Sequence, residues 1–142
     1  MSYQMTKYER ESFLADLHVA IMSVTAERRG PISVPVWYIY QPGGDFIFCT
    51  AKNSRKVDLI KASGRFTVCV LIEPPPSKYV SVEGRVVSID VPDLEKDLRP
   101  IARRYLGEEK GDQYTEEARK GEELVVIRMH PERWSSADYS KT

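Results

Sequence analysis

Phe48-Cys49-Thr50-Ala51-Lys52-Asn53-Ser54-Arg55-Lys56 carries an apolar strand into a helix whose first turn is cationic. Before it stands "GGDFIFCT", a turn followed by an apolar run that ends near Thr50. After it, Val57 and Ile60 recur at helical spacing, so the helix begins at Asn53 or Ser54. Both are good caps, because a short side-chain oxygen can accept from the free N–H groups of a first turn. That turn favours Asp or Glu, since a helix N-terminus carries partial positive charge. Here it carries Arg55 and Lys56 instead. Two readings follow: a solvated helix start with side chains in water, or an anion site. The second is a phosphate site, with the Thr50 and Ser54 hydroxyls, the N–H groups near Asn53 and Ser54, and Arg55 and Lys56 as counter-charges.

The rest of the chain bounds the anion. Its 142 residues suffice for one domain, residues 1–142, with a real core. Lys plus Arg equals Asp plus Glu at 21 each, a net charge of +0, which argues against a general grip on nucleic acid or membrane. From residue 52 to 65, however, Lys52, Arg55, Lys56, Lys61 and Arg65 face Asp58 alone. A local basic site on a neutral chain suits a small anionic ligand. No apolar run is long enough to span a membrane and no signal-peptide core opens the chain, so a cytoplasmic location is expected. Cys49 and Cys69 sit in apolar runs and read as free buried thiols, a disulfide being the alternative. His18 and His130 have no ligand spacing, so no metal is expected.

Along the chain, residues 6–17 read as an amphipathic helix with Tyr8, Phe13, Leu14 and Leu17 as its apolar set and Thr6 with Glu9 as a capping box. Strands are expected over 18–26, 32–40, 45–50, 64–72, 79–90 and 122–130, with a hairpin turn at "QPGG". Gly84 marks a bulge, a bend or a close approach within the fifth strand. Residues 91–107 start a helical segment that Asp93 caps and Pro100 interrupts or kinks, a polar helical piece follows, and residues 131–142 form a tail. Six mostly antiparallel strands with flanking helices give a mainly β fold, a small barrel with helices outside.

The second strand, "ISVPVWYIY", is apolar on both faces: Val34, Val36, Tyr38 and Tyr40 on one, Trp37 and Ile39 on the other. A small barrel buries only its inner face, and Pro35 marks an edge or bulge. The outer face therefore meets a helix, a ligand or a second subunit. Tyr79, Ser81 and Glu83 share one face of the fifth strand, either toward a ligand or half-exposed.

Together these stretches resemble the flavin-binding split-barrel superfamily, the pyridoxamine 5'-phosphate oxidase-like proteins, from about His18 to Tyr139. The resemblance is most specific at Phe48-Cys49-Thr50, Ala51 to Asn53, and Ser54-Arg55-Lys56, and extends to Val80–Gly84 and "PVWYIY". It implies a six-stranded split β-barrel that forms a homodimer with two cofactor sites at its interface. It further implies that Thr50, Asn53, Ser54, Arg55 and Lys56 grip the phosphate of a flavin-type cofactor. Pro35, Val36, Trp37 and Tyr38 would lie along its ring, with Tyr79 nearby. The chain departs from the oxidase in having no Arg or Lys on the second strand, in Tyr79 where the oxidase has glutamine, and in its short C-terminal segment. Its length and layout look more like the actinobacterial branch, many of whose members use the deazaflavin F-420 in place of FMN.

The expected function is an oxidoreductase that binds F-420 and passes a hydride to a small conjugated substrate, the cofactor carrying the chemistry. An FMN-dependent oxidase or reductase, or a carrier without catalysis, are the alternatives. No side chain in the sequence stands out as a catalytic acid.

Overall fold

Thr6 opens the first helix, α1 (Lys7–Ala15), with the expected capping box: its hydroxyl accepts from the Glu9 N–H at 3.2 Å, and its own N–H donates to Glu9 Oε1 at 2.8 Å. The computed structural model describes residues 2–141, so residues 1 and 142 of the expected domain lie outside the described residues. Phe13 and Leu14 turn inward from α1. Tyr8 and Leu17, expected beside them, are exposed, because Leu17 lies beyond the helix and Tyr8 on its outer side.

The strands are β1 (Ala20–Val24), β2 (Ile32–Val36), β3 (Ile39–Tyr40), β4 (Phe46–Ala51), β5 (Arg65–Ile72), β6 (Lys78–Asp90) and β7 (Leu124–Asp138). They form one antiparallel sheet in the order β2-β1-β5-β6-β7-β4-β3. The expected six strands become seven because the second breaks at Trp37 and Tyr38. The Tyr38 N–H donates to the Tyr105 hydroxyl at 3.2 Å rather than to a strand partner, and that hydroxyl donates to His18 O at 2.5 Å. The consequence is geometric. β2 and β3 occupy opposite edges of the sheet, yet three Cα steps join Val36 to Ile39, so those edges stand at most about 11 Å apart. The sheet must therefore curl into a half-barrel, and Pro35, which cannot donate to a ladder, sits on an edge strand.

The interior of the curl is aromatic. Phe46 and Phe48 alternate inward from β4 and meet Phe66 of β5 edge to face, Phe48 at 5.6 Å and 84°. Tyr38 stacks on Phe46 at 4.6 Å, fully buried, its hydroxyl donating to Leu14 O at 2.6 Å.

Gly84 is both a bulge and a close approach. The β6–β7 register shifts between Glu83 and Gly84, and a Cβ at Gly84 would stand 1.8 Å from the His130 carbonyl oxygen. The expected tail is largely strand: β7 continues through Pro131 to Asp138, because β6 is long enough to pair with all of it.

Helix α2 (Arg55–Ser63) follows β4 and buries Val57 and Ile60. After β6, Asp93 caps a π-helical turn (Leu94–Leu98) by accepting from the Glu95 and Lys96 N–H groups. It leads into α3 (Arg99–Leu106) and α4 (Glu108–Ala118). Pro100 stands where the expected interruption falls: the π-helical turn gives way to α3 there, and the proline occupies the first turn of α3, where a missing N–H is tolerated. Among the described residues, no helix is long and apolar enough to cross a membrane.

Candidate functional site

The turn from β4 to α2 is held tightly. The Lys52 N–H donates to Glu123 O at 2.9 Å, and the Ser54 N–H donates to Ala51 O at 3.2 Å. Ser54 occupies the cap position but does not cap: its hydroxyl donates back to Ala51 O at 2.8 Å. The first intrahelical bond is from Asp58 N–H to Ser54 O, which leaves the N–H groups of Arg55, Lys56 and Val57 without helical acceptors. Their partial charge adds to that of Lys56, whose stem is half-buried beside them.

These groups border a cleft of about 280 Å³. Pro35, Val36 and Trp37 form one wall at the end of β2, and Cys49, Thr50 and Lys56 another. The far wall was not visible in the sequence: Leu98, Ile101 and Ala102 around the start of α3, and Tyr114 of α4. Trp37 stacks on Tyr105 of α3 at 4.9 Å and 6°, and meets Tyr114 at 5.9 Å and 45°. The result is a flat aromatic and aliphatic slot with positive potential at one end. Burial pushes the Cys49 thiol up to about 12, with the nearby Asp97 carboxylate adding to the rise, so it stays a neutral wall group.

Five of the ten residues singled out from the sequence thus share one cleft: Pro35, Val36, Trp37, Thr50 and Lys56. Asn53 and Ser54 lie in the adjoining turn. Arg55 borders a different cleft of about 450 Å³ on another flank of α2, with Thr25, Leu59 and Ser63. The expectation that the Tyr38 side chain lies along a ring is corrected: Tyr38 fills the core, because alternation turns it opposite to Trp37. Tyr79 borders neither cleft; its hydroxyl lies 3.4 Å from Ser135 Oγ across the β6–β7 pair. The cysteines are free thiols.

The far wall is fixed by charge and by close packing. Arg99 bonds Glu95 at 2.7 and 2.9 Å, Asp112 at 2.6 Å and Glu116 at 2.8 Å, and Arg103 bonds Asp112 at 2.7 and 2.9 Å. Arg119 pairs with Glu95 and Glu116. Gly111 lets the backbones touch, since a Cβ there would lie 2.6 Å from Arg103 Cα. Arg103 and then Arg99 hold the Asp112 carboxyl down at about 2, and Arg99 first among its neighbours holds Glu95 and Glu116 below their usual range. Depressed carboxylates contribute stability that is complete above their ordinary values and lost as pH falls through the lowered ones. The α3–α4 packing is therefore expected to hold at neutral pH and to loosen from about pH 4 toward about pH 2. Fluorescence of Trp37, through its stack on Tyr105, reports the change. A loosening centred above about pH 5 would show that these ion pairs do not set the wall.

The sequence profile described as Pyridoxamine 5'-phosphate oxidase matches residues 7–138, nearly the whole chain. The chain belongs to that family. Solved structures show the same fold of the pyridoxamine 5'-phosphate oxidase family at low sequence identity. A conserved hypothetical protein from Mycobacterium tuberculosis superposes with a TM-score of 0.79 at 18% identity, covering 95% of this chain and 86% of that one. An F420 reductase gives 0.70 at 19% identity, covering 88% and 94%. A FAD-binding protein from Mesorhizobium loti gives 0.64 at 20% identity, covering 94% and 93%. No curated protein matches the sequence. Within the family architecture, then, this chain is a mainly β split barrel of seven strands.

Proposed function

We propose that this protein is an oxidoreductase that binds a flavin-type cofactor, F-420 in preference to FMN, and reduces a small conjugated substrate. One observation carries the reading: the edge residues Pro35 to Trp37 meet Thr50, Lys56 and the uncapped start of α2 in one cleft. The residues fit such a group. Pro35 offers apolar surface to a flat ring and Trp37 an aromatic one, while the Thr50 hydroxyl and the Lys56 ammonium suit its phosphate. A bound deazaflavin supplies the hydride. The chain's part is to hold the phosphate at the helix start, orient the ring against Trp37 and exclude water with the α3–α4 wall. No carboxylate or imidazole lines the cleft among the described residues, so the proton is assigned to water or to the substrate.

The placement of Arg55 favours F-420. FMN ends at its phosphate, whereas F-420 continues beyond it, and Arg55 stands at a second cleft past the helix start. The shared fold with an F420 reductase adds to this choice, and that with a FAD-binding protein keeps a flavin as the second reading.

We also propose that the protein works as a homodimer in the cytoplasm. The outer face of the sheet exposes Ile21 and Leu71, and the register sets Ile21 beside Pro35 and Leu71 beside Tyr79. A second copy on this face would cover them and bury Tyr79. Light scattering that gives the mass of one chain would refute the dimer.

Fluorescence titration of the purified protein with F-420 and with FMN tests the cofactor. Tight F-420 binding with FMN at least about tenfold weaker, roughly 1.4 kcal/mol, is expected. Tighter FMN binding would overturn the deazaflavin choice, and binding of neither would overturn the cofactor site. Binding without turnover over a panel of enones and quinones would leave a carrier.

A further inference from the structure

A third cleft, of about 250 Å³, lies where α1 crosses the end of the sheet and shares no lining residue with the cofactor cleft. At its centre the Arg10 guanidinium lies over the Trp134 indole, 4.9 Å from the ring centroid. Tyr40 meets the same indole edge-on at 6.3 Å. We propose that Arg10, on its Trp134 platform, binds a small oxyanion, a carboxylate or a phosphate.

Four features of the structure carry this. Arg10 Nε is buried and has no acceptor among the described residues. A buried donor without an acceptor costs free energy until one arrives. The carboxylates near it along the chain are engaged elsewhere. Glu9 accepts from the Thr6 N–H at 2.8 Å and from Lys141 at 2.6 Å. Glu11, the one carboxylate bordering the cleft, accepts from the Tyr40 hydroxyl at 3.1 Å and the Gly43 N–H at 2.8 Å. Burial pushes the Tyr40 hydroxyl up to about 12, so it stays protonated and keeps donating to Glu11.

The indole then holds the guanidinium at the cleft by a cation–π contact and leaves its N–H groups as the part that recognises a ligand. The edge formed by Nε and one terminal nitrogen matches the two oxygens of a carboxylate or phosphate. Lys7 also borders the cleft and adds positive charge.

The Arg10 Nε–H cross-peak in a proton–nitrogen correlation spectrum reads the site directly, with no added cofactor and so independently of the cofactor reading. Sodium acetate and inorganic phosphate are titrated at constant ionic strength, with sodium chloride as reference. A saturable shift of this cross-peak, together with the Trp134 indole N–H, is expected at millimolar concentration, and the anion that saturates first identifies the class. Arg10→Lys keeps the charge but loses the planar edge, and is expected to weaken the response of the Trp134 signal at least tenfold. No saturable shift with either anion would overturn the site. So would a shift equal to that in chloride, or a Trp134 response unchanged in Arg10→Lys. A cross-peak that moves on protein dilution and not with anions would give the acceptor to a second copy of the chain and overturn the small-ligand reading.

Discussion

Replacing Gly84 with alanine is expected to remove about 3 kcal/mol of stability, a large share of the roughly 5–15 kcal/mol that holds a domain folded. The new Cβ would stand 1.8 Å from the His130 carbonyl oxygen, 2.7 Å from its carbon and 2.9 Å from Met129 Sδ. The methionine sulfur can swing aside; the carbonyl cannot, because it belongs to the β6–β7 ladder. At this point Gly84 pairs with Pro131 and Glu83 with Arg133, so Glu132 is the extra residue of the bulge. Its carboxylate accepts from Arg65 at 2.7 Å and from Arg85 at 3.2 Å, so the shift in register is also tied on its outer side. Gly30→Ala is the matched control, since a Cβ there meets nothing within 4 Å. Urea unfolding of the two variants makes the comparison. A loss at Gly84 below about 1 kcal/mol would mean that the bulge moves aside cheaply.

Removing both Arg55 and Lys56 by alanine is expected to weaken cofactor binding at least about a hundredfold, roughly 2.7 kcal/mol. Charge-assisted hydrogen bonds contribute about 1.5–3 kcal/mol each, and two are lost. The fold should not suffer. Two cations beside a helix N-terminus oppose its dipole, so their removal leaves α2 unchanged or steadier by about 0.3–1 kcal/mol. A fall in affinity with unchanged unfolding is thus the signature of a binding role. The single variants separate the two clefts: Lys56→Ala should weaken FMN and F-420 alike, and Arg55→Ala should weaken F-420 more. A loss below about tenfold, 1.4 kcal/mol, for the double variant would place the phosphate elsewhere.

What the sequence made legible was local. The capping box at Thr6 and Glu9, the start of α2 at Ser54 and the burial of Val57 and Ile60 depend on residues three or four apart. The bulge at Gly84 announced itself because glycine is out of place in a strand. What stayed hidden was set by distant partners. Nothing in "PVWYIY" shows that its ladder breaks, since the break is made by the Tyr105 hydroxyl. Pro131 looks like the end of a strand, yet β6 carries the pairing past it. The same holds for the site. Pro35 to Trp37, Thr50 and Lys56 were read from two short stretches, whereas Leu98, Ile101, Ala102 and Tyr114 look in sequence like ordinary helix positions. Arg55 and Lys56, adjacent in the chain, were read as one charge pair, but the turn of a helix aims neighbours apart.

The two-residue join between β2 and β3 acts as a length gauge. It must bridge the sheet's two edges and, in doing so, send Tyr38 inward and Trp37 toward the cleft. One residue more or fewer would exchange those directions, setting a tyrosine in the slot and an indole against Phe46. Natural variation at this join should therefore run through changes of side chain at fixed length, so that relatives differ in what faces the ligand while keeping the same count between Val36 and Ile39.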